Sequence, residues 1–188
     1  MKYLVLALVL VMLLLVMACG GGSSSSSWTI TIDKIGVLDD KEPFISEPGD
    51  VYLYVSISSD KGQPVTVRIP SSGAIELEDN QVRNVNRQVW SGAASGELKM
   101  VAIAFESDPE LHGLLRSTIV EALSAYLGGG LAGMAGSYLI QQALSGGDVS
   151  ELAESSEDDL VGAIERKCNP GTYTDVRGSN LRLWYTVK

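Results

Sequence analysis

The residue types able to do chemistry are few in this chain. It has one histidine (His112), two cysteines (Cys19 and Cys168) and 23 aspartates and glutamates, set against 14 lysines and arginines in 188 residues. One imidazole and two thiols exclude a zinc site built mainly from His and Cys. A Ser-His-Asp or Cys-His arrangement can be built only around His112. That residue lies between Leu111 and Gly113, and no nucleophile is implied beside it. Paired carboxylates could serve glycoside hydrolysis, but aromatics make up only 6% of the chain, too few for the cleft such chemistry usually needs. The expectation is therefore a protein that is not an enzyme. A formal charge of −9 argues against nucleic acid as a partner. Residues 1–18 hold one base and no acid, so the remainder of the chain is more acidic still.

Cys19 is the first residue with a specific context. Met1-Lys2 opens the chain and an apolar run extends from Tyr3 to Ala18. At about 16 residues it falls short of the ~20 that span a bilayer, and its flanks read as a secretory signal peptide, residues 1–18. An uncleaved anchor helix is the competing reading. Val16-Met17-Ala18-Cys19 resembles the lipobox of bacterial lipoproteins. The resemblance implies a diacylglyceryl group on the Cys19 sulfur, cleavage before Cys19, and acylation of the new amine by a chain such as palmitate. Two or three acyl chains hold a protein firmly to a membrane. The expected location is the bacterial cell envelope, lipid-anchored and extracytoplasmic. Gly20 stands where the inner-membrane retention signal of many lipoproteins has Asp, which favours the outer membrane if the host is a diderm. Gly20 to Ser27 read as a flexible tether with a mean reach of roughly 16 Å. With Cys19 acylated, Cys168 has no disulfide partner, and a buried, inert thiol is expected.

The elements that must position any site begin at Trp28. Trp28, Ile30 and Ile32 share one face, and the phase then slips to Ile35 and Val37, which predicts a β-bulge. Val51 to Ile57, Val65 to Ile69 and Leu181 to Val187 also alternate. Clusters such as Glu47-Pro48-Gly49-Asp50, Asp60-Lys61-Gly62, Pro70-Ser71-Ser72-Gly73 and Asn169-Pro170-Gly171 punctuate them. Short alternating strands of this kind predict an antiparallel β-sandwich. Residues 98–105 are apolar on both faces, so something must pack on the outside of that strand.

The candidate cover lies downstream. Leu111, Leu115, Ile119, Ala122 and Tyr126 recur at helical spacing, as do Leu131, Ala135, Tyr138 and Gln142 beyond Gly128-Gly129-Gly130. This predicts an αα-hairpin. Gly128, Ala132 and Gly136 form one lane of small residues, and Gly129, Gly133 and Ser137 another, which would let helices approach closely in a membrane or in a core. Packing on the outer face of 98–105 is the leading reading. A membrane-inserting or oligomerising element spanning 113–145 competes with it, though its glycines and Gln141-Gln142 weaken insertion. A disordered insert is the third.

Asp148 to Asp159 then carries six acids and no base, by default a solvated acidic loop. If 111–156 is an insertion, Ala104 to Asp108 and Glu157 to Gly162 become neighbours at one end of the sandwich. Joined in this way, they resemble the third calcium loop of a C2 domain, in which a strand ends in Asp-x-Asp and a later Asp with two aliphatics and Gly opens the next. Asp39-Asp40 and the opening Asp50-Val51-Tyr52-Leu53-Tyr54-Val55 are similar to the first such loop and its strand. Glu106 replaces the usual Asp, Val51 replaces a proline, and the first loop is long. The resemblance implies a mainly β, antiparallel C2-like sandwich over residues 28–188, interrupted by the hairpin and acidic loop of 111–156. It also implies Ca2+ ligands at Asp39, Asp40, Asp50, Glu106, Asp108 and Asp159. Calcium takes six to eight oxygens at about 2.3–2.6 Å in irregular geometry, which loop carboxylates can supply.

The function expected is a lipid-anchored, calcium-responsive binding protein of the envelope, meeting a protein or lipid at the loop end. A membrane-active or self-assembling protein working through the hairpin is the principal alternative. A purely structural envelope lipoprotein is the third.

Overall fold

A computed structural model describes residues 26–38, 48–59, 62–94, 96–106, 114–128, 134–146 and 160–188. Residues 1–18, read above as a signal peptide, Cys19, Asp39, Asp40, Asp108, Gly129, Gly133, the acidic run 148–159 and His112 lie outside them. Among the described residues, nine strands and two helices succeed one another. They are β1 (Ser26–Val37), β2 (Gly49–Ser58), β3 (Val65–Ile69), β4 (Ile75–Leu77), β5 (Val82–Ala94), β6 (Leu98–Glu106), α1 (Leu114–Gly128), α2 (Met134–Ser145), β7 (Leu160–Cys168), β8 (Gly171–Arg177) and β9 (Leu181–Val187).

The strands form two antiparallel sheets. One has the order β5-β1-β9-β8, and the other β3-β2-β6-β7 with β4 also paired to β2. The inner faces meet through Ile30, Ile32, Ile35 and Val37 of β1, Val51 to Ile57 at alternate positions of β2, Leu98 to Ala104 of β6, and Leu181 to Val187 of β9. This is the expected sandwich, with a helical hairpin inserted between β6 and β7. The bulge expected in β1 is present. Its register shifts between Ile32 and Lys34 against both β5 and β9, and the Thr186 hydroxyl donates to Asp33 Oδ2 at 2.8 Å. An extra residue in a strand returns the side chains beyond it to the core face. Ile35 and Val37 are accordingly fully buried.

Four strands differ from the expectation, the three-residue β4 among them. β1 starts at Ser26, inside the Gly/Ser stretch, because Ser26 and Ser27 pair with Ala94 and Ala93. β5 and β8 show no clean alternation, and neither is expected from pattern. β5 is an edge strand rich in Arg, Asn and Gln, with Asn86 at φ 49° and two register shifts against β1. β8 is the opposite edge of the same sheet and is broken at Asp175, at φ 52°. Edge strands need no second buried face, and bulges and charges there discourage pairing with another chain.

β6 is covered on both faces. Its second face, Val101, Ile103 and Phe105, joins Tyr52, Tyr54 and Ala163 beneath Ile119, Ala122 and Leu123 of α1 and Ile140 and Ala143 of α2. The face of α1 is the expected one, but that of α2 is not. Tyr138 is 56% exposed, while Ile140, Ala143 and Leu144 turn inward. Tyr138 accepts a 3.0 Å hydrogen bond from Gln142 Nε2. No charge marks the solvent side of this helix, so spacing alone leaves the face undecided. The helices meet where a Cβ on Gly136 would come within 2.9 Å of the Ala122 Cα. Among the described residues no helix is long and apolar enough to cross a membrane.

Leu123 is fully buried under the hairpin, so Leu123→Ala should cost about 2–5 kcal/mol. A Cβ at Gly162 would lie 2.8 Å from the backbone nitrogen of Leu181. Gly162→Ala should therefore destabilise by about 1–3 kcal/mol through overpacking. Urea unfolding followed by tryptophan fluorescence measures both.

Candidate functional site

The insertion leaves β6 and β7 side by side. Phe105 pairs with Leu160, and Ala104 with Gly162, so the end of one strand and the start of the other meet. On the opposite flank of β6, Val51 pairs with Glu106, which places the start of β2 at the same end. The start of β9 is there too, because Gly162 packs against Leu181. Leu181 pairs with Val37, the last residue of β1, and the Leu38 amide donates to the Asn180 carbonyl at 2.8 Å. Four strand ends, Val37, Gly49, Glu106 and Leu160, therefore share one pole of the sandwich. In the sequence, Asp39-Asp40 come after the first, Asp50 after the second and Asp108 after the third, and Asp159 precedes the fourth.

Of the six proposed calcium ligands, Asp50 and Glu106 are among the described residues. They are one register step apart but face opposite ways. Glu106 shares the face of Val51, which points to the inner core, whereas Asp50 shares the outer face with Tyr52. A cation held by both would have to sit beyond the strand ends, not over one face of the sheet. Asp39, Asp40, Asp108 and Asp159 lie outside the described residues. Among the described residues no three His, Cys, Asp or Glu side chains are grouped to hold a metal ion.

Acids unforeseen from the sequence join this pole. Asp50 stands directly opposite Glu76 of β4, and the β4–β5 turn carries Glu78 and Asp79, closed by the Gln81 amide donating to the Glu78 carbonyl at 2.9 Å. Like charges opposite one another on neighbouring strands destabilise the pair. The only sequence trace of β4 is Ile-Glu-Leu, too short to read as a strand.

Of the hairpin positions, Gly136 lies at the close helix crossing described above. Gly128 ends α1 beside Pro64, to which a Cβ would come no nearer than 3.8 Å. The Tyr126 hydroxyl reaches Glu165 Oε2 at 3.1 Å and ties α1 to β7. Burial, and then the charge of Glu165, push the Tyr126 hydroxyl pKa up.

Three further groups, at two places in the fold, have shifted protonation. The Cys168 thiol is free and fully buried, as expected. Burial pushes its pKa up to about 11, partly offset by the Tyr185 hydroxyl. Tyr185, stacked on Tyr173 at 4.6 Å, is itself pushed upward by burial and by Cys168. At the β8 bulge, Asp175 accepts from Arg177 at 2.6 Å and from Arg182 Nε at 2.7 Å. Those hydrogen bonds hold its carboxyl at about 2. Cys168 pairs with Leu98 at the opposite end of the sheet, whereas the Asp175–Arg177–Arg182 cluster stands beside the start of β9, next to the pole of converging strand ends.

No family model matches the sequence, and no curated protein matches it. Among solved structures, the chain is similar to human GIVD cytosolic phospholipase A2, at a TM-score of 0.41 and 10% identity over 87% of this chain and 16% of that one. The same human enzyme in complex with methyl gamma-linolenyl fluorophosphonate matches at a TM-score of 0.40 and 10% identity, over 86% and 16%. The Drosophila structure described as C2-DSL-EGF1 matches at 0.38 and 7% identity, over 86% of this chain and 66% of that chain. The chain thus spans about a sixth of the phospholipase chains. At these scores the likeness bears on neither activity nor ligand.

The buried thiol has a measurable consequence. The folded Cys168 keeps its proton up to about pH 11, whereas its ordinary value is 9.0. Between those values the unfolded chain binds fewer protons, so stability falls as pH rises through the window. Equilibrium unfolding across pH 8 to 11 should show this loss, reduced in Cys168→Ala. Cys168 should also resist a thiol reagent at pH 8 until denaturant is added. Asp175 works in the opposite sense. Its lowered pKa contributes stability above about pH 4 that is lost as pH falls toward 2.

Proposed function

We propose that this protein is a lipid-anchored binding module of the bacterial envelope, non-enzymatic and C2-like. In this reading Cys19 carries the lipid, and calcium bound at the acidic pole recruits a protein or lipid ligand. The observation that carries the reading is the convergence of Val37, Gly49, Glu106 and Leu160 at one end of the sandwich. Each of the six proposed ligands is at, or within three residues of, one of these strand ends in sequence.

The physical rationale is charge. With Asp50 opposite Glu76 and further carboxylates next to the neighbouring strand ends in sequence, the pole carries acids that repel one another. A divalent cation coordinated by oxygens of several loops relieves the repulsion and couples the loops. The hairpin offers less support for a membrane-active role, because Ile119, Leu123, Ile140 and Ala143 are already used against the sheet.

Calcium at millimolar concentration should raise the melting temperature of the soluble chain beginning at Ser26, and a chelator should reverse the shift. Asp50→Asn combined with Asp159→Asn should abolish it. No shift with calcium would remove calcium from the reading. Anchoring is checked separately by the mass of Cys19-containing peptides from a bacterial host, where Cys19→Ser should lose the acyl increment.

A further inference from the structure

The first sheet has an electrical character opposite to that of the chain as a whole. Its four strands carry five cations, Lys34, Arg83, Arg87, Arg177 and Arg182, and two acids, Asp33 and Asp175, in a chain of formal charge −9. That surplus decides the sign of any ligand the sheet takes: an anion. Strand register concentrates the surplus at one edge. Leu181 and Leu183 of β9 belong to the core, so Arg182 and Trp184 stand on the outer face. Arg177 of β8 lies directly opposite Arg182. Like charges in that position destabilise a strand pair, and an edge strand open to water does not need them to pack.

One carboxylate is shared between the two guanidinium groups. β8 bulges where it passes Trp184: its register against β9 shifts between Tyr173 and Val176, and Asp175 sits at φ 52°. Left-handed backbone is uncommon outside glycine and clusters at functional sites. Asp175 Oδ2 accepts from Arg177 Nε at 3.0 Å and Nη2 at 2.6 Å, and Oδ1 accepts from Arg182 Nε at 2.7 Å. Arg182 is further fixed over the Trp184 ring, 5.0 Å from its centroid. From β7, Arg166 reaches the same edge, its Nη2 donating to the Arg177 carbonyl at 3.2 Å. Three guanidinium groups thus gather at one carboxylate, and two positive charges go uncompensated. The other acid of the sheet, Asp33, is engaged by Thr186, farther along β9. Among the described residues, Nη1 of Arg177 and both Nη nitrogens of Arg182 are left for another acceptor. The Arg177 side chain is 56% exposed and that of Arg182 16%, so the first gives access and the second a fixed geometry.

We infer that Arg177 and Arg182, with Arg166 alongside, form a binding site for a tetrahedral oxoanion, a phosphoryl or sulfate group. Guanidinium forks match the oxygens of such a group in pairs, and a dianion supplies the two charges the cluster lacks. The group arrives either as a free ion or as the headgroup of a phosphomonoester lipid. The site lies next to the acidic pole but requires neither calcium nor the lipid anchor.

The test uses the full chain, labelled with heavy nitrogen for NMR and held in an uncharged, phosphate-free detergent. It is titrated with inorganic phosphate and with sulfate in about 0.15 M sodium chloride, where screening over ~8 Å suppresses diffuse attraction. The Nε–H signals of Arg177 and Arg182 should shift along one saturating curve. Those of Arg83 and Arg87, and of Arg68, whose guanidinium lies over Tyr52, should stay in place. Arg177→Lys changes an exposed side chain, keeps its charge and removes the fork. It should weaken binding roughly tenfold, the equivalent of one charge-assisted hydrogen bond. Equal shifts at Arg83 and Arg87, a titration that does not saturate, or unchanged affinity in Arg177→Lys would overturn the site. Dihexanoyl phosphatidic acid, kept below its micelle concentration, is the second probe. Binding of it at the same two arginines supports the site, and its affinity relative to inorganic phosphate names the source: tighter for a lipid headgroup, equal for a free oxoanion. A missing calcium shift in melting would leave this result unchanged.

Discussion

Burial of the β6 strand on both sides is the constraint around which the molecule is arranged. Leu98, Met100, Ala102 and Ala104 form part of the inter-sheet core, while Val101, Ile103 and Phe105 would be left in water if the second sheet had an open outer face. Each such side chain left exposed forgoes about 1.5–3 kcal/mol of burial. The hairpin removes that cost by leaving β6, folding across the outer face, and returning the chain to β7 at β6's own edge. The same excursion aligns the ends of β6 and β7. The cover of the core and the assembly of the acidic pole are therefore one topological event.

The two sheets are finished in different ways. The second is protected by helices that meet tightly at Gly136 and Ala122 and are tied to β7 by Tyr126 and Glu165. The first ends in strands that are polar, bulged and charged. On β8, Asp175 binds two arginines in a backbone conformation that interrupts the ladder. On β5, Asn86 and the register shifts interrupt the ladder in a similar way. Both devices allow a long edge to remain in water without offering a flat template to another chain.

The acidic pole combines rigid and exposed parts. Strand pairing fixes Asp50 opposite Glu76 and Val51 opposite Glu106 to within one register step. Alternation then sends Asp50 and Glu106 to opposite faces, which puts any shared ligand beyond the strand tips. At this pole backbone pairing holds carboxylates close to one another.

Much of this was legible in the chain itself. The alternation of β1, β2, β3 and β9, the bulge near Asp33 and the doubly apolar β6 follow from side-chain periodicity, because a pleated strand buries every second residue. The hairpin was legible for α1, whose apolar face is marked by Ile119, Ala122 and Tyr126. For α2 it was not: without charges between Glu121 and Asp148, Tyr138 and Ile140 were equally good candidates for the core, and only packing in the cluster with Ala163 and Phe105 decided between them. β5, β8 and the three-residue β4 have no pattern of their own, since an edge or a short strand is held by its partner's hydrogen bonds and needs no apolar stripe. For the same reason Glu76 could not be seen as a neighbour of Asp50. Local chemistry, such as the lipobox-like cysteine and the acids beside apolar runs, is written in consecutive residues, whereas the meeting of distant strand ends exists only once the sheet has brought them into register.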